Sequence, residues 1–336
     1  MKAVICSEPG RLELVDRAKP GDPAKGWLRL AVSHVGICGT DYHIFQGKHP
    51  FLEYPRIMGH EISATVLDGG ASGLAAGSPV IVNPYISCGH CVACRKGKPN
   101  CCVAIRVLGV HTDGAFCEEI SVPAGNVYPA EGLSLEAAST VEFLAIGAHA
   151  VRRAAVAAEQ KVLVVGAGPI GIGVALFSKL RGASVTVLDG RADRLAFCAD
   201  RIGVASTVTL SETSTDELDR LTGGDFFDVV FDATGNPRAM ESGFAYVAHG
   251  GTYVLVSIVA ADIRFSDPEF HKREMTLMGS RNATAEDFAT VVEAMRAGLV
   301  PTEALHTHGS SLAELPEAFP GWLDPAAGVI KAIVSC

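Results

Sequence analysis

Two textures of hydrophobic and polar positions divide the chain. Through the first third, apolar residues come in short runs broken by polar ones and bounded by Gly, Pro and Asp, which predicts strands over 27–35, 61–67, 80–84 and 118–123. Gly and Pro are frequent there and helical periodicity is weak, so this stretch reads as a β-rich domain. From about residue 134 the pattern lengthens into alanine-rich helical stretches, 134–148 and on to 157. Strands at 161–165, 184–188, 228–232 and 252–258 then alternate with helices over 169–181, 191–202 and 237–248. Strand and helix in strict succession predict a parallel sheet with right-handed crossovers. From about 285 the pattern ends in a helix, a proline-marked segment and a last strand over 328–334, which is expected to return to the first domain. No internal repeat or low-complexity segment interrupts this plan.

Length and composition narrow the picture. A chain of 336 residues favours two domains. With 48% hydrophobic and 19% charged residues it suits a compact globular protein rather than a disordered one. A net charge of −9 argues against a nucleic-acid surface, since phosphate binding rests on clustered Lys and Arg. The apolar run at the N-terminus, 1–6, is too short for a signal peptide. The most apolar stretch, 162–177, is broken by four glycines and Pro169 and is too short to cross a membrane. A cytoplasmic protein with no membrane contact is therefore expected, and in a reducing compartment its ten cysteines point to metal binding or catalysis rather than disulfides.

Four of those cysteines are closely spaced. Cys88, Cys91, Cys94 and Cys102 stand within a loop of 15 residues that also holds Gly89, Gly97 and Pro99. Zn²⁺ favours tetrahedral thiolate coordination, and cysteines on a turning backbone supply it with little chain ordering. Such a closed site leaves no open coordination position and is expected to be structural. Cys101 adjoins Cys102, and spacing alone leaves the fourth ligand open between them.

A second cluster lies in the β-rich third. Gly36-Ile37-Cys38-Gly39-Thr40-Asp41-Tyr42-His43 is followed by Gly59-His60-Glu61, bringing together a thiol, two imidazoles, two carboxylates and a hydroxyl. A catalytic zinc takes about three protein ligands and keeps a place for water or substrate. Cys38 and His60 are natural ligands for it. A nucleotide site is expected further on, where Gly166-Ala167-Gly168-Pro169-Ile170-Gly171 follows the apolar strand 161–165 and opens a helix. Those glycines allow a tight turn and close approach of backbone to a pyrophosphate seated on the helix N-terminus. Asp189, at the end of the next strand, would accept hydrogen bonds from the adenosine ribose and repel a 2′-phosphate, favouring NAD over NADP. Arg191 and Arg194 could argue the other way, or simply form a solvated helix face.

Together, GICGTDYH, GHE, the four-cysteine loop and GAGPIG, in this order, resemble the zinc-containing medium-chain dehydrogenase/reductase family, the alcohol and sorbitol dehydrogenases. The resemblance covers nearly the whole chain. It implies an α/β fold, with a GroES-like β-rich catalytic domain over 1–145 and 285–336 and a doubly wound Rossmann domain over 146–284, the active site lying in the cleft where they meet. It assigns catalytic zinc to Cys38 and His60 and the structural zinc to Cys88, Cys91, Cys94 and Cys102, two ions per chain. The third catalytic ligand in polyol dehydrogenases is a Glu usually followed by Pro, which points to Glu142, here followed by Phe143. Glu61 would lie beside the metal, either holding its water or replacing it as a ligand, and Asp41 would orient His60. Thr40 and His43 would carry the proton out, unless Thr40 is only a turn hydroxyl. Thr234 and Ser257, with their neighbours at 233–236 and 256–258, would lie near the nicotinamide.

The implied reaction is Lewis-acid-assisted hydride transfer from a secondary alcohol to NAD. The segment 265–288 resembles bacterial dehydrogenases that oxidise hexonates at carbon 5, such as L-galactonate or L-gulonate. Arg281, beside Asn282, stands where related enzymes place a substrate-contacting arginine and would pair with a sugar-acid carboxylate, or else only bridge the domains. A neutral polyol or polyol phosphate is the competing substrate. A zinc-free quinone-type reductase would lack both cysteine and ligand motifs, and a non-enzymatic NAD-binding regulatory protein would keep the fold with the catalytic zinc lost. Family resemblance also implies a homo-oligomer, dimer or tetramer, acting on a small molecule.

Overall fold

The computed structural model describes residues 1–48, 52–70 and 72–336, which divide into two compact units, Met1–Glu142 with Thr284–Cys336, and Phe143–Ala283.

The first unit is built on a mostly antiparallel sheet whose central strand, Trp27–Gly36, pairs with Glu61–Asp68, Glu119–Pro123 and the last strand, Lys331–Ser335. Alternation along Trp27–Gly36 buries Leu28, Leu30 and Val32 on one face, as a strand covered on one side requires. Its core also holds Phe116, Phe319 and Trp322, with Phe319 against Tyr42 and Phe45 at ring-centroid distances of 5.2 Å each. The return of the last strand follows the expected path: Ile333 pairs with Gly36 and Val334 with Val35. That register carries Lys331, two residues earlier, toward the end of the central strand where Cys38 begins the next helix.

The second unit is a six-stranded sheet, parallel throughout, with Lys161–Val165 and Phe227–Asp232 at its centre. Numbered within the unit, the strand order is 3-2-1-4-5-6, the doubly wound arrangement whose reversal point receives dinucleotides beyond the strands' carboxyl ends. Val162, Leu163, Val164 and Val165 are all buried, which is why this strand reads as a continuous apolar run.

The structure corrects the element reading in several places. The stretch 134–157 is two helices, Leu135–Ala138 and Val141–Arg153, because the hydroxyls of Ser139 and Thr140 bond back to the Glu136 and Ala137 carbonyls at 2.7 Å each and compete with the helical ladder. Helix 191–202 ends in a π-helical turn over Cys198–Ile202. Helix 237–248 stops at Gly243, and the following strand starts at Val247 and runs through Gly250 and Gly251 past a register shift, so the glycine pair marks an irregular strand rather than a turn. Two edge strands, Ser206–Thr209 and Thr276–Gly279, and the polar helix Ser214–Thr222 escaped the hydrophobic pattern, since edge elements bury little and carry no long apolar run. Among the described residues no helix is long and apolar enough to cross a membrane.

Candidate active site and metal centres

Cys38 caps the short helix Gly39–Phe45, and Asp41 in its first turn ties that cap to the second motif. One oxygen of the fully buried Asp41 accepts from the Cys38 amide at 2.9 Å, the other from the Gly59 amide at 3.2 Å. The nearer oxygen stands 3.8 Å from His60 Nδ1, beyond hydrogen-bond length. Asp41 therefore positions the two backbone segments that carry Cys38 and His60, rather than bonding to the ring. Gly59 is required between them: its φ is +89°, and an added Cβ would lie 2.7 Å from the Phe116 ring and 2.8 Å from Val35.

The Cys38 sulfur, a His60 ring nitrogen and a Glu61 oxygen all lie within 4.8 Å of one another. Glu142 stands outside that tight group. It opens the helix Val141–Arg153, buried, with Oε1 accepting a very short hydrogen bond from the Tyr85 hydroxyl. Its Oε2 is buried without a hydrogen-bond partner among the described residues, and so is His60 Nδ1. Burial pushes the Glu142 carboxyl up to about 7, with the His60 ring opposing and Glu61 adding to the rise. Burial alone disfavours a charged imidazole at His60, yet Asp41 and Cys38 outweigh it and raise the ring well above its usual value. Thiol, imidazole and carboxylates, two of their atoms orphaned inside the fold, fit a zinc ion, whose charge would also neutralise the buried anions.

Two groups escaped the sequence reading. Lys331, buried at 1% exposure, places Nζ 2.7 and 2.8 Å from the two oxygens of Glu61 and 3.0 Å from the Ile37 carbonyl. A lone charge within the apolar run 329–334 was the available signal. Tyr85, which engages Glu142, carried none. Thr40, half-buried, and His43, exposed, stand three residues apart on one helix and share a face.

The structure gathers Cys88, Cys91, Cys94 and Cys102 in the same way, their sulfurs within 4.8 Å of one another, while Cys101 is exposed and outside the group. Cys91 caps the helix Val92–Arg95, so backbone amides point at its sulfur and those of Cys94 and Val103 draw the thiol down to about 6. The Cys88 amide reaches the Cys102 sulfur at 3.2 Å. Four converging sulfurs on a loop braced by backbone amides suit a closed tetrathiolate site.

In the second unit Gly166, at φ +97°, ends the central strand, and the helix Pro169–Leu180 starts with Pro169 and Ile170. A Cβ on Gly171 would fall 1.8 Å from the Gly166 carbonyl oxygen, so this glycine permits helix and strand to pack. A Cβ on Gly168 would meet nothing within 4 Å, leaving an open cradle before the helix N-terminus that fits a pyrophosphate. Asp189 accepts from the Ala167 amide at 2.6 Å and the Arg191 amide at 2.8 Å. Arg191 pairs with Asp193 at 2.6 Å, but Arg194 is buried, which corrects the view of both arginines as a solvated face. Thr234 donates to the buried Asp232 at 2.9 Å through its hydroxyl. Ser257 follows the neighbouring strand, its Cβ 4.0 Å from where a Cβ on Gly235 would stand. Arg281, exposed, and Asn282, at φ +55°, follow the edge strand Thr276–Gly279.

Comparison with known proteins agrees with this geometry. Residues 24–132 match the alcohol dehydrogenase GroES-like domain and residues 169–297 the zinc-binding dehydrogenase domain. The chain is 42% identical to L-galactonate-5-dehydrogenase of Escherichia coli (strain K12), covering 100% of this chain and 99% of that protein. It is 34% identical to 2-dehydro-3-deoxy-L-galactonate 5-dehydrogenase of Pseudoalteromonas atlantica, covering 94% and 93%. An alcohol dehydrogenase of E. coli CFT073, solved in complex with NADH, superposes with a TM-score of 0.92 at 29% identity, covering 100% of this chain and 99% of that one. The chain belongs to the zinc-type alcohol dehydrogenase family, with its GroES-like and Rossmann-type domains. Membership of that family makes it a dehydrogenase, with a small-molecule substrate.

Proposed function

We propose that this chain oxidises the carbon-5 hydroxyl of a hexonate, L-galactonate or L-gulonate, with NAD as the hydride acceptor. The observation that carries this reading is 42% identity with an L-galactonate-5-dehydrogenase along the entire chain. We assign the catalytic zinc to Cys38, His60 and Glu142, the structural zinc to Cys88, Cys91, Cys94 and Cys102, catalytic chemistry to residues 1–145 with 285–336, and nucleotide binding to 146–284. A homo-oligomer in the cytoplasm, dimer or tetramer, completes the assignment on family resemblance.

Zinc supplies Lewis-acid polarisation of the substrate hydroxyl, and NAD supplies the hydride acceptor. The side chains do the rest. Asp41 fixes the backbone on both sides of the site, and Tyr85 orients Glu142. Thr40 and His43 offer a hydroxyl and then an imidazole from a half-buried to an exposed position, a path by which the substrate proton leaves. Arg281 would pair bidentately with the substrate carboxylate. The oxygens of Asp189, each holding one backbone amide, keep lone pairs for the ribose hydroxyls. Steady-state assays over aldonates, neutral polyols and polyol phosphates, each with NAD and NADP, test the reading. The highest kcat/KM is expected for L-galactonate or L-gulonate with NAD; a higher value for a neutral polyol would overturn the sugar-acid assignment, and preference for NADP the role of Asp189.

A further inference from the structure

We propose that Lys331 is a positioning residue that clamps Glu61 and holds it off the catalytic metal, keeping a coordination place open for the substrate oxygen. The inference rests on the assignment of that metal to Cys38, His60 and Glu142. Glu61 is fully buried, and one of its oxygens lies within 4.8 Å of the ligand atoms of Cys38 and His60. A buried carboxylate so close to a dication is drawn onto it unless another cation holds it, because the attraction is weakly screened there. Lys331 is that cation. Its ammonium meets both oxygens of Glu61, at 2.7 and 2.8 Å, so neither is left without a charged partner.

The clamp is anchored on both sides. On one side the ammonium also donates to the Ile37 carbonyl at 3.0 Å, next to Cys38 in sequence, and its strand is fixed to the central strand by the pairing of Ile333 with Gly36. On the other side Gly36 leaves the space that Glu61 fills: a Cβ there would stand 2.1 Å from Glu61 Oε2. The position of the carboxylate is thus set by two segments besides its own strand, and its charge is cancelled locally. Cys38 and Glu142 are left to balance the metal.

The test uses the full-length protein with cobalt(II) in place of zinc, whose d–d absorption reports coordination number and ligand type. Wild-type protein is expected to take two cobalt ions per chain, one of them lost together with its band in Glu142→Ala. In Lys331→Met the two ions remain, the catalytic-site band shifts and weakens as Glu61 joins the metal, and kcat falls about ten- to hundred-fold. Lys331→Met with Glu61→Gln removes both charges at nearly constant volume, so it folds even where the single variant does not, and its band is expected to return to the wild-type position. An unchanged band in Lys331→Met, or a shifted band in the double variant that matches the single one, overturns the clamp while leaving the metal site standing. One cobalt per chain in the wild type overturns the metal assignment and the clamp together.

Discussion

Glu142 offers the sharpest test at the level of single side chains, because only one of the two proposed metal centres includes it. Glu142→Ala is expected to abolish turnover and lower the zinc content from two ions per chain to one, the remaining ion belonging to the four-cysteine loop. Normal activity with two zincs would remove Glu142 from the metal site. Asp232 makes a prediction about stability. Burial pushes its carboxyl from 3.8 up to about 6, with the Thr234 amide and hydroxyl working against the rise. A raised carboxyl means that the folded state binds the proton more tightly than the unfolded one, so stability falls as pH rises from about 4 to about 6 and stays lower above that. Asp232→Asn keeps the acceptor for Thr234 and removes the buried charge. It is expected to raise stability at pH 7 by about 1–2 kcal/mol, less than the full electrostatic cost because the amide adds a donor. Thermal unfolding from pH 4 to pH 8 checks this, the gain vanishing near pH 4.

At the level of elements, the four-cysteine loop is a short irregular segment of two small helices, Val92–Arg95 and Pro99–Cys101, with little buried apolar surface of its own. Its order is expected to come from metal coordination. In Cys102→Ser a hard hydroxyl replaces a soft thiolate, so the loop zinc is expected to be lost, with a stability loss of ~2–3 kcal/mol, roughly 5–10 °C in Tm, and early proteolytic cleavage within 88–102. A variant that keeps two zincs and the parent's resistance would show that the sulfurs gather without an ion. Elements also mark where hydrophobic pattern stops being informative. The central strands of the second unit were legible because both faces are buried, while Ser206–Thr209, Thr276–Gly279 and the helix Ser214–Thr222 lie at its periphery and keep polar faces.

For the whole molecule the first measurement is metal content. About two zinc ions per chain are expected; one would indicate a lost catalytic centre, and none would place the chain with the zinc-free reductases despite its family. The motifs that carry these expectations were legible because each is local. Thiols three residues apart on a glycine-bearing loop can converge on one ion whatever the rest of the chain does. A glycine-rich turn between an apolar strand and a helix makes its cradle from a dozen neighbouring residues. What the chain's linear order could not express is pairing at long range. Lys331 meets Glu61 across 270 residues, and Tyr85 meets Glu142 across 57. Neither partner has a local reason to be where it is. Tertiary structure also separated Cys102 from the adjacent Cys101, turning one sulfur into the cluster and leaving the other exposed. Asp41, expected to orient His60, bonds the amides of Cys38 and of Gly59, the second of which only the fold brings to it. Sequence alone thus determined which chemistry the chain contains, because ligand types and backbone turns are properties of short segments. Only the fold decided how the buried charges of that site are paired, because each pairing depends on strands and helices that meet only when the sheet is complete.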